Sequence, residues 1–195
     1  MKRSGKIERK TNETDIKLTI DLDGSGQAEV ATGVGFFDHM LVLFAKHGLF
    51  DLAVKAAGDL EVDAHHTVED VGIVLGKALA KALGDKGGIR RYGTAFVPMD
   101  EALAMVVVDV SGRPFLQYDV EVPASMIGGY AAELTEEFLR ALAVNAGMTI
   151  HVRLLSGRNS HHITEAVYKA LGRALSEATR SDERIVGVMS SKGVL

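Results

Sequence analysis

The 195-residue chain is 47% hydrophobic and 25% charged, the balance of a globular protein with a sizeable core. Its formal net charge of −4 argues against nucleic acid or an anionic membrane as partner, and the absence of cysteine excludes disulfides, thiolate metal sites and a cysteine nucleophile. The charged stretch 1–17 lacks the apolar centre of a signal peptide and no window reaches the length of a membrane span, so a soluble, cytoplasmic protein is expected.

Along the chain, Ile16, Leu18, Ile20 and Leu22 alternate with polar residues and predict a half-buried strand ending at the turn 23–26. Residues 36–46 read as a helix stopped near Gly48, and 49–55 as a strand. From His66 to Leu83 the apolar residues keep helical spacing until Gly84, Gly87 and Gly88 break it. The segments 95–110 and 115–122 are rich in strand formers, with Ser111-Gly112-Arg113-Pro114 as a turn between them. Helical spacing returns over 131–146, strand over 149–155 and a long helix over 163–179, while the tail 190–193 carries no periodicity.

The order of these elements repeats. Helix, strand, loop and a long helix headed by His-His occur at 37–83 and again at 131–179. His65-His66-Thr67-Val68-Glu69 aligns with His161-His162-Ile163-Thr164-Glu165 at an offset of 96, and Gly76-Lys77-Ala78-Leu79 with Gly172-Arg173-Ala174-Leu175 at the same offset. Two copies of one small unit are expected, 1–92 and 93–195, forming one compact pseudo-symmetric body.

Seven histidines in 195 residues would yield only about 0.2 adjacent pairs by chance, so two His-His-x-x-Glu elements heading equivalent helices point to a duplicated metal half-site. On a helix, Glu69 lies on the face of both His65 and His66, and Glu165 on that of both His161 and His162. Adjacent rings diverge by about 100°, so each pair is suited to serve two metals rather than one. The helix macrodipole is expected to keep these rings neutral, as metal ligands must be. His39 is a third candidate ligand, and Glu137 holds the roughly corresponding place in the second half. Nitrogen and oxygen donors without sulfur suit manganese, iron, cobalt, nickel or zinc alike. Arg90-Arg91 after a glycine cluster, Arg113 in a tight turn and Lys192 in a Ser-Ser-Lys-Gly tail are candidates for binding phosphate.

Several blocks carry a wider likeness. Gly35-Phe36-Phe37-Asp38-His39-Met40-Leu41, residues 63–70 with the first His-His, and 156–162 with the second resemble the imidazoleglycerol-phosphate dehydratase family, as do 9–14, 109–114 and 190–193. The resemblance implies an α+β fold: a tandem duplication of a unit like ribosomal S5 domain 2, with two four-stranded sheets and helices packed between or against them. It implies a 24-mer homo-oligomer with active sites between subunits and two Mn2+ ions per site. His39, His65, His66, Glu69, Glu137, His161, His162 and Glu165 are then the metal ligands, although some family members have histidine where this chain has Glu137. Glu13, reaching from a neighbouring subunit, would be catalytic together with His65, Glu69, His161 and Glu165. Glu13 would also contact substrate, with His39, His47, Arg91, Arg113, Lys169, Ser190, Ser191 and Lys192. The reaction implied is dehydration of imidazole-glycerol phosphate to imidazole-acetol phosphate in L-histidine biosynthesis, through a metal-bound imidazolate. From the residues alone, a dinuclear metallohydrolase remains the rival within enzymes, and a non-catalytic RNA-binding or metal-storage module the rival outside them.

Overall fold

The computed structural model describes residues 3–195. The first half contains β1 (Ser4–Lys10), β2 (Thr14–Asp21), β3 (Ala28–Ala31), α1 (Gly35–Gly48), β4 (Asp51–Gly58) and α2 (His65–Leu83). Its sheet runs β1-β2-β4-β3, antiparallel except for the β3–β4 pair. Alternation buries Thr14, Ile16, Leu18 and Ile20 on one face of β2. The second half contains β5 (Tyr92–Met99), β6 (Ala102–Asp109), β7 (Phe115–Asp119), β8 (Met126–Ile127), β9 (Tyr130–Ala131), α3 (Leu134–Ala146), β10 (Thr149–Ser156) and α4 (Ser160–Thr179). Its sheet runs β5-β6-β10-β7, with β10 and β7 parallel, and so repeats the first.

The helices lie between the sheets. Each packs on its own sheet and on a helix of the other half, α1 against α4 and α2 against α3. Where the helix pairs meet, Phe37, Phe138 and Tyr168 form a buried aromatic cluster with Tyr130, whose hydroxyl hydrogen-bonds to Thr135 and Tyr168. The two halves are therefore one core.

Two sequence expectations need correction. The helix expected from Ala131 starts at Leu134, because Gly128, at positive φ, lets Ile127 turn back onto Tyr130, and Ala131 is the last residue of the resulting hairpin. The strand expected to reach Val122 stops at Asp119, where its pairing with β10 ends, and Pro123 follows shortly.

Both halves use glycine in the same way. A Cβ on Gly5 would lie 2.0 Å from the Ala78 carbonyl oxygen, and one on Gly93 would lie 1.9 Å from that of Ala174. The first strand of each sheet can thus approach the backbone of its long helix only without a side chain. Gly93→Ala is expected to destabilise the fold by about 1–3 kcal/mol through overpacking. An unchanged thermal midpoint would show that the strand can move away at no cost.

Candidate metal centre

Both His-His pairs head their helices because the local sequence caps them there. The Asn159 side chain accepts the backbone N–H of His161 and His162, and Asp63 accepts that of His65. In α4 the ring of His161 then rests edge-on against Phe36 of α1, 5.1 Å between centroids. Asp38, one residue before His39, is held by Thr32 through both its backbone N–H and its hydroxyl, which anchors the first turn of α1.

Packing α1 on α4 brings His39, His161 and Glu165 together, with one donor atom from each all within 4.8 Å of one another. Glu165 Oε2 is 3.2 Å from His161 Nε2 and 3.8 Å from His39 Nε2. Its other oxygen, Oε1, accepts from Lys169 Nζ at 2.5 Å, so one oxygen is tied and the other faces the rings. The imidazoles are 49% and 45% exposed and the carboxylate only 9%, leaving the ligand-facing side of the cluster open. Burial would raise the Glu165 carboxyl, but the Lys169 ammonium and the His161 ring outweigh it and hold the group below the usual carboxylate range. Glu165 is therefore an anion at neutral pH, as a hard-cation ligand must be. Nitrogen and carboxylate donors around an open face fit a first-row divalent metal.

The matching trio in the other helix pair is looser. His65 Nε2 lies 3.9 Å from Glu69 Oε2, and Glu137 stands in the first turn of α3, which packs on α2. Among the described residues, only the His39 group closes to metal-binding distances within one chain. His66 and His162 do not share Glu69 and Glu165 as the spacing suggests. They turn away onto Asp59 and Glu101, at 2.9 and 2.8 Å through Nδ1. These carboxylates raise the imidazole pKa values of His66 and His162, opposite in direction to the effect of a helix N-terminus. Glu13 stands with its Oε1 3.9 Å from His66 Nε2 of the same chain and is 54% exposed.

The candidate phosphate ligands gather elsewhere. Arg91 is buried, with a positive φ of 71°, a two-bond fork onto Asp109 and a bond to the Met189 carbonyl. Arg113, mostly exposed, reaches the same Asp109 at 3.8 Å, so Arg91, Arg113 and the tail carrying Ser190, Ser191 and Lys192 share one end of the molecule. That end is the C-terminal end of α4, where Arg91 N–H donates to Ala178. His47 lies between the two regions, its imidazole pKa lowered by burial and by the charges of Lys169 and Arg173. No helix among the described residues is long and apolar enough to cross a membrane.

A duplicated α+β body whose paired helices present two open imidazoles over a buried carboxylate defines a candidate metal-dependent enzyme. Comparison with known proteins gives the family. The family model for imidazoleglycerol-phosphate dehydratase matches residues 32–175, and the chain belongs to that family. The imidazoleglycerol-phosphate dehydratase of Acetivibrio thermocellus is 64% identical over 195 residues, all of both chains, and that of Desulforamulus reducens 62% identical over the same span. Two solved structures share the fold. The Staphylococcus aureus dehydratase superposes with a TM-score of 0.84 at 41% identity, covering 92% of this chain and 99% of that one. The Pyrococcus furiosus protein, in complex with (S)-C348, gives 0.85 at 42% identity, covering 97% and 100%.

Proposed function

We propose that this chain is a hydro-lyase that removes water from imidazole-glycerol phosphate to give imidazole-acetol phosphate, in the cytoplasmic synthesis of L-histidine, with Mn2+ as its metal. The observation that carries the reading is the His39–His161–Glu165 trio, closed to metal-binding spacing in a chain that belongs to this family. A divalent cation held there would supply electrophilic stabilisation to the substrate's ring. His39 and His161, with Nε2 turned to Glu165, and Glu165 through Oε2 would hold it, while Lys169 keeps Oε1 occupied and so orients the carboxylate. His65, Glu69 and Glu137 form the matching half-site. His66 and His162 supply one further nitrogen each. Glu13, an open carboxylate beside the His66 ring, is placed to move a proton. Arg91, Arg113, Ser190, Ser191 and Lys192 bind the phosphate, and that remote binding energy orients the reacting carbons.

The distance between these two sets favours a shared site. Seventeen helical steps separate His161 from Ala178, about 25 Å at 1.5 Å per residue. A ring, three carbons and a phosphate span only about 10 Å by ordinary bond lengths. One molecule therefore cannot touch both ends of α4, and a homo-oligomer, a 24-mer in this reading, brings one subunit's phosphate ligands to another's metal ligands. The purified protein is expected to convert imidazole-glycerol phosphate in the presence of Mn2+ and to lose the activity on chelation. Chelator-resistant turnover would remove the metal from the reading, and no turnover with any first-row divalent metal would remove the reaction.

A further inference from the structure

The spacing of the motif accounts for Glu69 and Glu165 but not for what aims the second histidine of each pair. In both halves Nδ1 of that histidine is bonded to a carboxylate from outside its helix. His66 meets Asp59, just after β4, at 2.9 Å, and His162 meets Glu101, in the β5–β6 turn, at 2.8 Å. An imidazole that donates Nδ1–H to a carboxylate keeps Nε2 as the basic nitrogen and points it in a set direction. We propose that Asp59 and Glu101 are positioning residues that fix the tautomer and direction of His66 and His162, leaving Nε2 of each free to bind metal. The proposal rests on the metal-dependent reading above.

The duplication shows why two different carboxylates do one job. Thr14–Asp21 and Ala102–Asp109 are equivalent central strands, so Glu13 and Glu101, each just before its strand, occupy equivalent places. Glu101 is committed: Oε2 holds His162 while Oε1 accepts the N–H groups of Arg158 and Asn159. These bonds, the His162 one first, bring its pKa down to about 2. Glu13 is not committed, because Asp59 already holds His66. The residue equivalent to Asp59, following β10 as Asp59 follows β4, is Gly157. A Cβ there would lie 2.7 Å from Ile163, so the second half has no room for an aspartate and relies on Glu101. One of the two equivalent glutamates thus steadies a ligand, which leaves the other available for chemistry.

Asp59 provides the cleaner test. Its Oδ2 bonds His66, and its Oδ1 is buried without a hydrogen-bond partner, so the side chain holds no loop in place. An amide at this position can donate to Nδ1 and select the opposite tautomer, with the proton on Nε2. Asp59→Asn and Glu101→Gln are each expected to weaken Mn2+ binding to the metal-free assembly by about 10–100-fold. Equilibrium dialysis, with free Mn2+ counted by electron paramagnetic resonance, reads this directly, and the visible spectrum of the Co2+ form reports the changed ligand set. At a pH above the raised His66 pKa, where the ring is neutral, the thermal midpoint of metal-free Asp59→Asn should stay at the wild-type value. Glu101→Gln also disturbs the 157–159 loop, so Glu101→Asp, which retains the charge, is expected to recover part of the affinity. Glu13→Gln should lose less affinity than either. Wild-type affinity in both Asp59→Asn and Glu101→Gln, or an equal loss in Glu13→Gln, would overturn the assignment while leaving the metal reading intact. A wild-type protein that binds no divalent metal would overturn both.

Discussion

His161→Ala is expected to cost the protein both its metal and its turnover. The ring supplies one of the three donors of the only trio that closes within a single chain among the described residues, and it stands 3.2 Å from the Glu165 carboxylate. Its loss leaves His39 and Glu165, with Lys169 still paired to Oε1 and free to swing onto Oε2. The fall in Mn2+ affinity should exceed the roughly 10–100-fold that follows from disturbing a group that only supports a ligand. The fold should survive, because the side chain is 45% exposed and the helix is capped by Asn159 through the backbone. Metal analysis after dialysis, read beside the circular dichroism melting curve, checks both parts. A variant that keeps its Mn2+ but loses activity would move His161 from metal ligand to proton-transfer group.

How much of this was legible in the sequence depends on how each feature is encoded. The long helices and the His-His-x-x-Glu elements were visible because α2 and α4 repeat at one offset of 96. The duplication itself was also legible, but the matching of strand to strand was not, because it needs three offsets. Thr14–Asp21 matches Ala102–Asp109 at 88, and Asp51–Gly58 matches Thr149–Ser156 at 98. The first change comes from an insertion carrying the Met126–Ala131 hairpin, and the second from a shorter loop before His161. A search at one offset therefore pairs the histidines but never lines up Glu13 with Glu101. Asp59 was invisible for another reason: its bond to His66 spans a loop whose path no periodicity sets. The Asn12-Glu13-Thr14 and Asp100-Glu101-Ala102 steps into equivalent strands were the available signal.

The placement of Glu13 beside His66 predicts which subunits can repair one another. Both residues stand on the same chain, 3.9 Å apart, while the closed trio on α1 and α4 contains neither. If one subunit's trio is completed by a neighbour, His66 and Glu13 arrive together as one arm. Glu13→Gln and His161→Ala assemblies should each be inactive alone. Mixed under conditions that allow subunit exchange, they should regain activity, because the intact trio of the first can meet the intact arm of the second. Random pairing makes about a quarter of the interfaces complete. Glu13→Gln mixed with His66→Ala should stay inactive, because every arm then carries one lesion or the other. Native mass spectrometry would confirm exchange in both mixtures. Recovery in both would separate Glu13 from His66, and recovery in neither, with exchange confirmed, would place the arm in its own subunit's site.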